Sequence, residues 1–119
     1  MSRHQFAQPT SAWQTRSGQL LYRHADTTLI GDVLIRFSDR ADFDLTFSKG
    51  PGVTLLSLRQ DATFAEVKGA LAGPGWSGQI AHAPQQLRAW LGLRDAIMHA
   101  QDRHLVRHSA DGETFVLRF

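Results

Sequence analysis

The sequence predicts an α+β fold in which a curved antiparallel β-sheet wraps around one main α-helix. Two observations carry this expectation. Between Gly18 and Leu71 apolar residues recur mostly at every second position, in short runs separated by turn-forming residues. From Pro84 to about Ala100 the strand breakers vanish, and Leu87, Trp90, Leu91, Ile97 and Met98 recur at helical spacing. With 119 residues, 42% hydrophobic and 20% charged, the chain suits one domain with one core.

Each element follows in order. Residues 1–12 are polar, aperiodic and contain Pro9, which predicts a flexible N-terminal tether ahead of a single domain at 13–119. Leu20, Leu21 and Tyr22 form a first strand. After a turn at Asp26–Thr28, the run LIGDVLIRF puts Val33, Ile35 and Phe37 on one face of a second. Phe43, Leu45 and Phe47 alternate with Asp42, Asp44, Thr46 and Ser48, the pattern of a strand with one wet face. SKGPG supplies a turn, and Val53–Asp61 and Phe64–Leu71 continue the meander. Residues 72–83, with three glycines and a proline, read as an irregular connection holding Trp76 in or near a short strand. Pro84 fits the first helical position. The chain closes with HLVRH and FVLRF, two strands joined by a turn at Asp111 and Gly112.

Composition narrows the function. The formal charge is only +2, and eleven arginines and two lysines are scattered rather than bunched, so a nucleic-acid partner is not expected. Without cysteine there is no disulfide, no thiolate zinc ligand and no thiol nucleophile. No run approaches the ~18 consecutive apolar residues of a membrane span.

Candidate chemistry is sparse. Gly73, Gly75 and Gly78 spell G-x-G-x-x-G, but Pro74 removes an amide, the helix starts too late and no βαβ unit surrounds them. His99, Asp102, His104 and His108 are metal-ligand types close in sequence, yet His104 and His108 on a strand stand ~13 Å apart, too far for one ion. Solvated or edge histidines are the expectation, with no metal and no cofactor. Asp42 and Asp44 share a strand face as any wet sheet face would, and Ser57 and Ser77 lack a nucleophile elbow. No enzyme activity is expected. Arg94 falls inside the helix's apolar stripe, where it must pair, snorkel or sit at a break after Gly92. Trp13, Trp76 and Trp90 are expected to anchor the core.

Four pieces in order resemble the periplasmic lipoprotein-localisation proteins, the LolA/LolB fold, and within it the outer-membrane LolB-like receptors. They are the WQTRSG segment with Trp13, Gln14 and Gly18, the strand pair DVLIRF and DFDLTF, the turn and Leu-rich strand SKGPGVTLLSL, and PQQLRAWLGL at Pro84–Leu93. The last is similar to the family's Pro-x-x-Leu-Arg-x-Trp-x-x-Gly-Leu helix. The chain is shorter than the family's, an extra helix is replaced by AGPGWSGQIAHA, and the Pro/Gly turn carries Lys49 rather than a large apolar tip.

The resemblance implies an eleven-strand-like half-barrel, open on one side, whose apolar cavity accepts acyl chains or lipoproteins in the bacterial periplasm at the outer membrane. It also implies a polar tether, SRHQFAQPTSA, behind a lipidated cysteine that anchors the protein to the membrane. A helix of roughly 17 residues, about 25 Å long, covers only part of a six- or seven-stranded sheet, so surplus apolar face is expected. The expected lining is Phe43, Leu45, Phe47, Leu56, Leu58, Val67, Leu87, Trp90, Leu91 and Met98, with Arg94 at the rim. The alternative is an interaction or homodimerisation module that closes the same face against a protein partner or a second copy.

Overall fold

The computed structural model describes residues 4–8, 10 and 12–119, and they form one antiparallel sheet of eight strands with a helix on one face. The strands are β1 (Gln14–His24), β2 (Thr27–Phe37), β3 (Phe43–Ser48), β4 (Thr54–Gln60), β5 (Phe64–Lys68), β6 (Trp76–Gln79), β7 (Leu105–Ala110) and β8 (Glu113–Arg118). They lie in the order β6-β5-β4-β3-β2-β1-β8-β7. Six strands thus run as a meander, and the last hairpin returns to pair with β1. β6 and β7 are left as the two edges.

The turns explain the register. Ala25 and Asp26 join β1 to β2, with Ala25 at φ 52°, and Asp111 and Gly112 join β7 to β8 at φ 52° and 79°. Positive φ at both central residues, as at Asp111–Gly112, or at the first alone, as at Ala25, matches strand twist in a two-residue hairpin. Gly18 and Gly31 serve a different need: a Cβ at Gly18 would run into the carbonyl oxygen of Arg118, and one at Gly31 into that of Ser48.

The chain must cross from edge β6 to edge β7, and it does so over the sheet as a helix in two segments, α1 (Gln85–Leu91) and α2 (Leu93–Met98). The single helix expected from Pro84 to about Ala100 is thus present over 85–98, with one irregular residue between its segments. Gly92, at φ −76° and ψ −11°, is the joint. Its amide still bonds to the Arg88 carbonyl (3.0 Å), so the two segments remain stacked rather than separated.

Trp90 shows how tightly the sheet closes. Its ring lies 4.8 Å from Phe115 on β8, 4.8 Å from Tyr22 on β1 and 6.0 Å from Phe47 on β3. β3 and β8 are three strand spacings apart, ~14 Å on a flat sheet, yet both reach one indole. Of the expected tether, residues 1–3, 9 and 11 lie outside the described residues. Its described part touches β4 and β5: His4 stacks on Phe64, and Arg59 Nη2 donates to the Ala7 carbonyl (3.3 Å).

Candidate functional site

Strand register assembles the predicted lining as one apolar wall. Ile35 opposes Leu45, Leu45 opposes Leu58, Leu58 opposes Val67 and Phe47 opposes Leu56, all facing the helix. Leu87, Trp90, Leu91, Leu93 and Ile97 descend onto this wall from α1 and α2. Phe43, Leu45, Phe47, Leu56, Leu58, Val67, Leu87, Trp90 and Leu91 are all buried. They form a packed core with Leu20, Tyr22, Val106, Phe115 and Leu117 rather than the walls of an open groove.

The surplus apolar face expected on this side is thus a correction. The expected curvature goes far enough to bring both halves of the sheet onto the same helix, so a short helix suffices to cover the face. The segment before α1 also contributes Leu71, Trp76 and Ile80 to the packing. Among the described residues, the large hydrophobics left exposed are Ile30, Leu34, Val53 and Met98. Met98 lies outside the packed core, 40% exposed at the end of α2, and Arg94 is half-buried with Nη1 3.4 Å from Asp95 Oδ1. Trp90 is the central anchor and Trp76 packs at the margin, while Trp13 is not in the core cluster.

An opening does exist at the start of the cover. Leu71, Ala72, Pro74, Trp76, Pro84 and Leu87 line a cleft of about 330 Å³ between the glycine-rich connection and α1. Gly73 and Gly75, the first two glycines of the sequence motif, adopt φ 60° and 83° here and shape its loop. They precede a strand, not a helix, so the motif is a turn and not a phosphate cradle.

Polar groups inside the concavity are few and were not foreseen. Gln60 on β4 is buried and its Nε2 donates to the Leu91 carbonyl (3.4 Å), next to the helix joint. Glu113 on β8 is buried beside Tyr22, and Tyr22 in turn faces the indole N–H of Trp90. Burial raises the Glu113 carboxyl above the usual glutamate range, outweighing the lowering influence of the Tyr22 hydroxyl and of His24. Burial and the neighbouring Glu113 push the Tyr22 phenol up to about 12. Gln60 and Glu113 sit at alternating inward positions of otherwise apolar strands, and that single break in the pattern is the signal available in the sequence.

The histidines do not converge. His99 Nδ1 bonds the Asp95 carbonyl (2.9 Å), Asp102 Oδ1 accepts the His104 amide (2.8 Å), and His108 stacks on Phe115 at 5.7 Å. Among the described residues no three metal-ligating side chains cluster. Asp44 forms a two-point pair with Arg36, and Asp42 lies in the preceding turn accepting from Ser38 Oγ (2.8 Å). Asp61 is pushed up by burial, but the amides of Phe64 and Thr63 together with His4 outweigh this and hold it below the usual aspartate range.

Neither family models nor curated proteins yield a match to this chain.

Proposed function

We propose that this chain is a non-enzymatic binding protein of the bacterial cell envelope that takes acyl chains, free or carried by lipoproteins, into its apolar concavity. The observation that supports this reading is the cover. The apolar face of the sheet is closed by two helical segments of seven and six residues, jointed at Gly92 and tied to the two sheet edges through irregular chain. The cleft at Trp76 and Leu87 opens beside the first of them. Short helices draw little stability from their own backbone, so the apolar side chains beneath them hold the cover down. An acyl chain offers the wall the same kind of surface. Entry at the cleft then exchanges Leu87, Trp90 and Leu91 for methylene groups, with little net change in apolar area exposed to water.

The resemblance to the lipoprotein-localisation proteins points the same way, including periplasmic residence at the outer membrane. The test is uptake of a fluorescent fatty acid by delipidated protein, alongside mass spectrometry of natively purified material for co-purified lipid. Saturable uptake, weakened by Trp76→Ala at the cleft while the circular dichroism spectrum is retained, supports the reading. Neither uptake nor co-purified lipid overturns it.

A further inference from the structure

The outer face of the sheet, turned away from the helix, carries a second apolar feature. In register across β8, β1 and β2 lie Val116, Leu21 and Ile30, one residue from each strand. Ile30 is 59% exposed, and Leu34, two places on along the same face of β2, is 42% exposed. An outward row of this kind has no place in the core.

Arginines surround it. Arg107 lies opposite Val116 on β7, Arg118 is two residues beyond Val116 on β8, and Arg23 is two residues beyond Leu21 on β1. Diagonal positions on neighbouring strands place Arg107 and Arg118 ~7–8 Å apart. All three are exposed, and none forms an ion pair among the described residues. The acid on this face of β7, β8, β1 and β2 is Asp32, which stands on β2 between Ile30 and Leu34 and closes the Arg118–Gln19 row. A cleft of about 390 Å³ runs between Arg107, Arg118, Val116, Leu21 and Ile30.

We propose that this outer face docks on an anionic lipid bilayer, with Ile30 and Leu34 entering the interface and Arg23, Arg107 and Arg118 meeting lipid phosphates. Charge complementarity selects an anionic occupant. Shape and size select a bilayer over a protein: the face lies on the outside of a bent sheet, so it meets a partner along a crest. Four apolar side chains fall far short of the ~800 Å² per partner of a stable protein interface. A bilayer needs no such area, since a few inserted apolar groups and arginines at phosphate level act together. The patch is separate from the concavity and stands whether or not acyl chains enter there.

The experiment is co-sedimentation of the full chain with vesicles of phosphatidylcholine alone and of phosphatidylcholine mixed with phosphatidylglycerol. Binding to the anionic vesicles is expected, weakening as salt is raised, with little binding to the neutral ones. The double variant R107Q/R118Q should lower the partition coefficient about 30-fold, at roughly fivefold per arginine. Ile30→Ser should lower it further without altering the circular dichroism spectrum. Absence of binding to anionic vesicles overturns the proposal, as does binding that these variants leave unchanged. A dimer in solution whose interface the same variants disrupt also overturns it, because the face is then occupied by protein.

Discussion

Glu113 is buried against Tyr22 with one carboxylate oxygen, Oε2, that has no hydrogen-bond partner. A buried acceptor of this kind lowers stability whenever it carries charge. The folded carboxyl titrates above its ordinary 4.5, so its contribution is fully present below that value and fades as the pH rises through the raised one. Tyr22 adds a second loss on the alkaline side, between 10 and about 12. Asp61 works in the opposite direction: its contribution is present above the ordinary 3.8 and is lost as the pH falls through its lowered value. Glu113→Gln keeps the size and removes the charge. Urea unfolding across this range should show a gain of about 1 kcal/mol at neutral pH and a flatter profile on the acid-to-neutral limb. An unchanged profile would mean that the Glu113 carboxyl titrates alike in the folded and unfolded chain.

Gly18 stands where β1 and β8 come together, and a methyl group there meets backbone, which cannot rotate away. Gly18→Ala should therefore cost about 3 kcal/mol or more by forcing the strands apart. Gly52→Ala is the contrast: its Cβ meets open space, but φ is +77°, so about 1–2 kcal/mol is expected from backbone conformation alone. Denaturant midpoints of the two variants give the comparison, and equal effects would show that close approach at Gly18 is not limiting.

Much of the fold was legible because its signals are local. The alternation of Phe43, Leu45 and Phe47 places all three on the buried face, and Asp111–Gly112 forms the hairpin turn its composition predicts. What stayed hidden depends on distant pairing. Nothing near Leu20 or Tyr22 announces that β8 will lie beside them, so Phe115 and Leu117 did not enter the expected wall although they complete it. The same long-range closure turned an expected open groove into a packed core. Gly92 was visible as a helix breaker, whereas Gln60 beneath it left only one break in the alternation, at a strand end where a glutamine also suits a turn.

Arg36 and Asp44 face each other across β2 and β3, with Arg36 Nε and Nη2 donating to the two Asp44 oxygens at 3.1 and 2.8 Å. Arg59 and Glu66 extend the same row, so the charges alternate in sign across four strands. The Arg36 side chain is 44% exposed, which screens the pair. A double-mutant cycle with alanine at both positions should give a coupling of about 0.5–1 kcal/mol, shrinking in high salt. Coupling that is larger and independent of salt would mean the pair is shielded from solvent, contrary to its exposure.

The joint of the cover rests on one contact that can be tested directly. A Cβ at Gly92 would lie 3.1 Å from Nε2 of His108, whose ring is already stacked on Phe115. Gly92 has helical backbone angles, so Gly92→Ala should by itself gain up to about 1 kcal/mol of helix propensity. The crowding against His108 opposes that gain, and near-neutral stability is the expected sum. In a His108→Ala background the opposition disappears, so the same substitution should then stabilise by about 1 kcal/mol. Stability measured for the four proteins of this cycle yields a coupling of that size if the glycine exists to admit the imidazole. A stiffer joint should also slow fatty-acid uptake in the Gly92→Ala protein if the cover must bend there to open. Additive effects within ~0.3 kcal/mol would show instead that the joint and the histidine are independent.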